Sequence, residues 1–404
     1  MSTKYLIYLT IFCAPLYLIK LPVFGLTISI LDVLMLLTVF SFLTKTPHRL
    51  IDKYHHLKKI FPLLIAMIIG LILSTIFNGN SIHSWGIVIS WFILPIFFGT
   101  ITHLEIKENS DKLFLLKTIF YSSLLVVFLS LILFIVYNNG LTYDNRLKGF
   151  YSSPNYLAMY LSLGLIIAFF QINISGINFF SRKKPKNIFY FLSTIIIFFV
   201  LCLTKSQGAL TAVTLSLFLI FAIQKYFLKN YFFIKISKKI GVVLFVLFAL
   251  FIFTANLFFR LPPNIYKNHS SFNSRLIIWQ SAGEILKNNW IWGIGPGNFQ
   301  KKYLQYQVYF LPYQEWAVPQ PHNLYLAFWL QSGLVGFCSF IILIYLVLKK
   351  LISKLMNHSN VLQKKLTLTL LTLIFAILIH GLVDTPIWKN DLSLIFWIIV
   401  FLTF

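Results

Sequence analysis

The sequence predicts an all-α integral membrane protein of about twelve spans, and three observations carry that prediction. Of the 404 residues, 58% are hydrophobic and 11% charged, where a soluble domain carries about 25% charged residues. Mean hydropathy is +0.82. Apolar windows of about 20 residues, the length that crosses a bilayer as a helix, recur from end to end.

The windows fall at 5–19, 26–44, 60–77, 84–102, 115–137, 154–172, 187–204, 206–224, 240–259, 322–348, 362–382 and 391–404. Lys4 precedes the first window, and no small-x-small cleavage pattern follows it, so it reads as a retained span and not a removed signal peptide. No repeat period or low-complexity linker divides the chain. The expectation is one polytopic domain over 1–404, with a helical external insertion at 260–321 between spans 9 and 10.

The net charge of +24 is placed by sidedness. Lys45, Arg49, Lys53, Lys58 and Lys59 follow span 2, and Arg182, Lys183, Lys184 and Lys186 follow span 6. Lys225, Lys229, Lys235, Lys238 and Lys239 follow span 8, and Lys349, Lys350, Lys354, Lys364 and Lys365 follow span 10. Basic loops at alternate turns mark the cytoplasmic side, which puts both termini there and excludes nucleic acid as the partner. Cys13, Cys202 and Cys338 lie in apolar runs without CxxC spacing and read as membrane-buried thiols.

The external chemistry concentrates in the insertion. Asn273 and Ser274 are helix N-cap types ahead of RLIIWQSAGEIL. At about 100° per residue, Ile278, Trp279, Ala282, Ile285 and Leu286 share a face with Arg275, while Gln280, Ser281, Glu284, Lys287 and Asn288 lie opposite. A guanidinium on an apolar face either snorkels or stacks on Trp279, or else grips an anion. Gly293-Ile294-Gly295-Pro296-Gly297-Asn298 lacks the GxGxxG dinucleotide pattern and reads as a tight turn along the membrane surface.

Span 10 opens on Pro321-His322-Asn323. His322 is either an interfacial imidazole bonded to backbone or a general base for a hydroxyl proton. Asn323 suits orienting it or binding a sugar hydroxyl. Gly333 and Gly336 suit close helix contact.

Three further clusters share that side. DNRLKGFYSSPN carries Arg146, Lys148 and Asn155, the last in a helix-capping position. LTKSQGAL carries Lys205, which snorkels or faces the same anion, and Gln207. HGLVDTPIW carries Asp384, suited to capping a helix or turn, pairing with a basic residue or positioning an acceptor. Arg146, Lys148, Lys205, Arg260 and Arg275 supply positive charge at one external face. Ten acidic residues in the chain, without metal-ligand spacing or a DxD, predict no metal and no cofactor.

The order NRLKGFYSSPNYLAMYL, LTKSQGAL, NSRLIIWQ…WGIGPGNF, PHNLYLAFWLQSGLVGF and HGLVDTPIW resembles the O-antigen ligase family of polytopic glycosyltransferases over about 145–404. The first spans resemble it in hydropathy alone. The resemblance implies an enzyme of the bacterial inner membrane that works at its periplasmic face without metal. It would transfer a glycan from an undecaprenyl-type diphosphate carrier to a hydroxyl, as in O-antigen ligation to lipid A–core. It implies His322 as base or acceptor-positioning group, Arg275 as a diphosphate contact, and Arg146 as the basic residue ahead of the GxxxxPN segment. The family often has Ser-Arg-Gly where this chain has Ser206-Gln207-Gly208, so Lys205 is the nearest substitute cation. Polymerases of surface polysaccharide and protein O-oligosaccharyltransferases carry similar motifs and differ in acceptor. A lipid-linked glycan transporter would need charges near mid-span and broken helices in matched halves, whereas the polar groups here lie at one face.

Overall fold

The computed structural model describes residues 2–23, 26–45, 57–137, 140–142, 144–172, 185–227, 271–311, 315–357 and 360–404. The ninth expected span and Arg260 lie outside the described residues. The helices are α1 (Thr3–Phe12), α2 (Ile30–Lys45), α3 (Phe61–Phe77), α4 (Ile82–Glu105), α5 (Asn109–Ile135), α6 (Pro154–Gln171), α7 (Pro185–Leu203) and α8 (Gln207–Phe227). After them come α9 (Ser271–Asn288), α10 (Phe299–Tyr306), α11 (Leu324–Asn357), α12 (Val361–His380) and α13 (Asn390–Thr403).

Among the described residues, seven helices (α4 to α8, α11 and α12) are long and apolar enough to cross a membrane. The expected windows at α1, α2, α3 and α13 do form helices, but of 10, 16, 17 and 14 residues. Each falls short of the roughly 20 residues of a straight crossing. The first window is cut where Pro15 opens a 3₁₀ turn over Ala14–Leu18. The expected loop at 20–25 belongs to an antiparallel hairpin, β1 (Lys20–Val23) with β2 (Leu26–Ser29), in which Lys20 faces Ser29. This hairpin and an isolated antiparallel bridge between Leu141 and Leu147 depart from an all-α class among the described residues.

The centre of the bundle is α6 and α13, whose side chains are buried almost all round. Helices α5, α7, α8 and α12 surround α6, and Gly164 lets it approach Ser123 of α5. On α4, Gly99 leaves room for the Phe401 ring of α13. Small residues at such crossings let helices gain packing contact where lipid gives no hydrophobic drive. A π-helical segment over Val88–Ile93 of α4 carries Trp91. The Trp91 indole N–H donates to Asn390 Oδ1 at 2.8 Å, and its carbonyl accepts from Ser393. The first turn of α13 is thereby fixed to α4.

Gly336 performs the expected close contact, since a Cβ on Gly70 of α3 would stand 2.6 Å from its nitrogen. Gly333 does something different. Its φ of 66° and ψ of −174° break α11, and the GIGPGN turn fills the break. Ile294 N–H donates to Leu330 O at 2.5 Å, and Leu334 N–H to Ile291 O at 2.9 Å. Gly295 N–H donates to Ser74 Oγ at 2.9 Å and Gly297 N–H to Gln331 Oε1 at 3.0 Å. Asn78 Nδ2 donates to Gly293 O at 3.1 Å and Ser84 Oγ to Pro296 O at 2.8 Å. The turn is therefore a plug between α3, α4 and α11, and not the surface return its composition suggests. Backbone freed by a broken membrane helix needs partners of this kind.

Candidate functional site

The bundle has two chemically different ends. At one, Lys4 pairs with Asp111 at 2.7 Å, and Lys354 lies within electrostatic range of Lys112 and Lys350. At the other, the starts of α6, α8, α11 and α13 and the end of α12 bring the sequence-predicted polar groups together.

The segment 381–389 organises that second end. Leu324 N–H donates to Gly381 O at 2.7 Å, and Asn323 Nδ2 to Leu382 O at 3.1 Å. Asn323 Oδ1 also accepts from the Tyr325 and Leu326 amides, both at 3.0 Å. This residue, expected to orient the imidazole or bind sugar, is the cap of α11 and its tie to the 381–384 turn. Gly208, in the first turn of α8, packs against Val383 of the same turn and His380 at the end of α12.

Asp384 is buried there and His322 is partly exposed beside it, with His322 Nδ1 3.1 Å from Asp384 Oδ1. His322 has a φ of 46°, a left-handed conformation in which histidine is over-represented among non-glycine residues. The conformation is fixed from two sides, since Trp279 Nε1 also donates to His322 O at 3.3 Å. Burial works against the imidazolium, but the charge and hydrogen bond of Asp384 raise the His322 pKa above 6.5. Arg275 opposes that rise and Glu315 adds to it. Burial likewise disfavours the Asp384 carboxylate, yet His322, His380 and Arg275 hold it well below the usual carboxylate range. With Nδ1–H given to Asp384, neutral His322 presents Nε2 as an acceptor.

Asp384 Oδ2 accepts from Asn155 Nδ2 at 3.1 Å, and Asn155 Oδ1 accepts from Arg146 Nη2 at 2.6 Å. Asn155 is thus a bridge; the cap of α6 is Ser153, whose side chain accepts from the Asn155 amide. Arg146 Nε donates to Thr204 O at 3.0 Å, and Arg146 stands 4.0 Å from Asp144. Lys205, with a φ of 51°, reaches Asp144 O at 3.4 Å. Gln207 is exposed at the start of α8, and Lys148 is held by its backbone N–H to Gly140 O at 2.8 Å.

Arg275 donates from Nε to Val383 O at 2.8 Å, so α9 is docked on the turn carrying Asp384. Helix α9 starts before Asn273 and Ser274, which are not its caps; Ser274 Oγ instead donates to Glu315 Oε1 at 2.5 Å. Ile278, Ala282 and Ile285 are buried as the periodicity predicts. Ser281, expected on the polar half, is buried as well, within a helix that packs against α10 and α11.

Residues 192–341 match the family model for O-antigen ligase. Over this stretch the chain is similar to the O-antigen ligase family. Against the curated proteins it has no match. The matched segment includes Lys205, Arg275 and His322, while Arg146, Asn155 and Asp384 lie outside it. The fold joins the two sets through the His322–Asp384 and Arg275–Val383 contacts. Sequence reasoning missed Asn155 as a bridge because a residue one step past a capping serine looks like part of the cap.

Proposed function

We propose that the chain is a metal-independent membrane glycosyltransferase that moves a glycan from a polyprenyl diphosphate carrier to an acceptor hydroxyl. The closest activity is O-antigen ligation to lipid A–core. The observation that carries this reading is the His322–Asp384 pair, a base with a fixed tautomer, with Arg275 bonded to the adjacent Val383 carbonyl and Arg146 bonded to Asn155, which itself donates to Asp384.

In this reading His322 Nε2 takes the acceptor hydroxyl proton as the oxygen attacks the anomeric carbon. The bond from that carbon to the diphosphate breaks, and the configuration inverts. Asp384 holds the imidazole and stabilises the imidazolium that forms, a division of labour known from hydrolytic triads. Arg275, with Arg146 and Lys205, offsets the charge that develops on the departing diphosphate. The basic residues at the opposite end of the bundle support a cytoplasmic location for that end and an external location for the site.

The test is incubation of purified protein with a polyprenyl diphosphate-linked glycan and three acceptors: lipid A–core, a second carrier-linked glycan and a Ser/Thr peptide. Mass spectrometry should find the glycan on lipid A–core. Product on the second carrier would make the enzyme a polymerase, and product on the peptide a protein transferase.

A further inference from the structure

Lys389 closes the segment that carries Asp384, and nothing in the mechanism above uses it. Its Nζ lies 3.4 Å from the centre of the Tyr156 ring, 5.6 Å from that of Tyr17, and 3.2 Å from Ser152 Oγ. Its nearest carboxylate in sequence, Asp391, is buried and bonded to Tyr151 OH at 3.1 Å and the Leu392 amide at 2.9 Å. Among the described residues no carboxylate oxygen stands within 4.0 Å of Lys389. Lys20 of the hairpin is close enough to repel it, and burial together with that repulsion, opposed by Asp391, lowers the Lys389 pKa to about 8.

A half-buried ammonium beside a second ammonium, with its carboxylate Asp391 beyond ion-pair distance, is stabilised when an anion joins it. The place is contiguous with the site already described. Asn155 bonds Asp384, the next residue forms the wall under Lys389, and Tyr156 feels both Asp384 and Asp391. A diphosphate is also longer than one guanidinium spans, and Arg146 already holds Thr204 O and Asn155.

We infer that Lys389, assisted by Lys20 and Ser152, binds phosphate oxygens of the diphosphate group, on the Tyr156 side of the site. The inference rests on the transferase reading for its ligand, but the anion site itself is testable without turnover. Tyr156 and Tyr17 hold the ammonium in place, and Ser152 donates to a phosphate oxygen or keeps its bond to Nζ.

The experiment has two arms. In the first, inorganic diphosphate is titrated into detergent-solubilised protein and its dissociation constant is read from thermal stabilisation. Wild type and His322→Asn should bind it alike. Lys389→Gln should bind at least about tenfold more weakly, the worth of one charge-assisted hydrogen bond, and Lys389→Arg should recover most of the loss. In the second arm, Lys389→Gln should raise the donor KM by a similar factor and leave the acceptor KM alone. Equal diphosphate binding by wild type and Lys389→Gln, or no binding by wild type, overturns the inference. Normal binding in the first arm with no glycan transfer by wild type would instead count against the transferase reading alone. Should Lys389→Gln fail to fold, Lys20→Gln carries the test, with a smaller weakening expected and wild-type binding contradicting the site.

Discussion

Asp384 and His322 meet at 3.1 Å across 62 residues of sequence. The carboxylate comes from the turn after α12 and the imidazole from the residue pair that opens α11. Both turns are bolted together by the Leu324–Gly381 and Asn323–Leu382 bonds. The pair is therefore set by backbone and not by two free side chains finding each other.

The first prediction concerns pH. A base must be neutral to accept a proton, so kcat/KM should rise with pH, with a midpoint above 6.5 because Asp384 raises the His322 pKa. Asp384→Asn removes that influence and leaves burial, the largest effect, and Arg275, which lower it, against the smaller rise from Glu315. The midpoint should then move below 6.5, and the plateau should fall by about 10²–10⁴-fold, the usual worth of acid–base assistance. A pH–rate profile of both proteins checks the sign; an unmoved midpoint would detach His322 from the titration.

Arg275 gives the opposite sign. Its charge lowers the His322 pKa, so Arg275→Gln should move the midpoint upward while raising the donor KM. Arg275→Lys keeps the charge but loses the planar fork, and it should leave the midpoint near wild type while still weakening donor use. Identical donor kinetics in all three proteins would reduce Arg275 to its bond with Val383 O.

Asn155 donates to Asp384 Oδ2 and accepts from Arg146. Asn155→Asp replaces a donor with a second carboxylate beside Asp384, and like charges at that range raise a carboxyl pKa. Activity should fall further in Asn155→Asp than in Asn155→Ala, although the former is nearer in shape. Steady-state rates of the two variants decide it, and the reverse ranking would mean that Asn155 acts by size.

The plug makes a stability prediction. Gly333 has a left-handed φ, and a Cβ there would run into the backbone of Ile291 and Trp292. Gly333→Ala should destabilise the protein by about 1–3 kcal/mol from backbone strain alone, with more from the clash. Thermal unfolding in detergent should show a lower Tm; a wild-type Tm would mean that α11 can run through without its break.

Much of this was legible in the sequence, for physical reasons. Apolar length places the helices, because a bilayer demands it, and periodicity finds Ile278, Ala282 and Ile285 on one buried face. His322 and Asp384 stand out as polar groups at the ends of apolar runs and Arg275 as a charge on an apolar helix face, while the roles of His322, Arg275 and Arg146 rest on the resemblance. Partners were not legible. Asp384 could have capped a turn, and only the bonding of 381–382 to 323–324 brings it to Nδ1. Asn323 looked like a site residue because an asparagine beside a histidine invites that reading, whereas its side chain caps α11. GIGPGN gave no sign that its amides serve the break at Gly333, since pairing of two irregular backbones leaves no periodic trace.

The central claim is that His322, held by Asp384, removes the acceptor proton during glycan transfer. The most direct measurement is the transfer rate of purified His322→Asn with a polyprenyl diphosphate-linked glycan and lipid A–core, beside wild type at matched folding. Asparagine tolerates the left-handed backbone at this position, so the variant should fold, bind donor and transfer at least about 10²-fold more slowly. Transfer at the wild-type rate would contradict the claim.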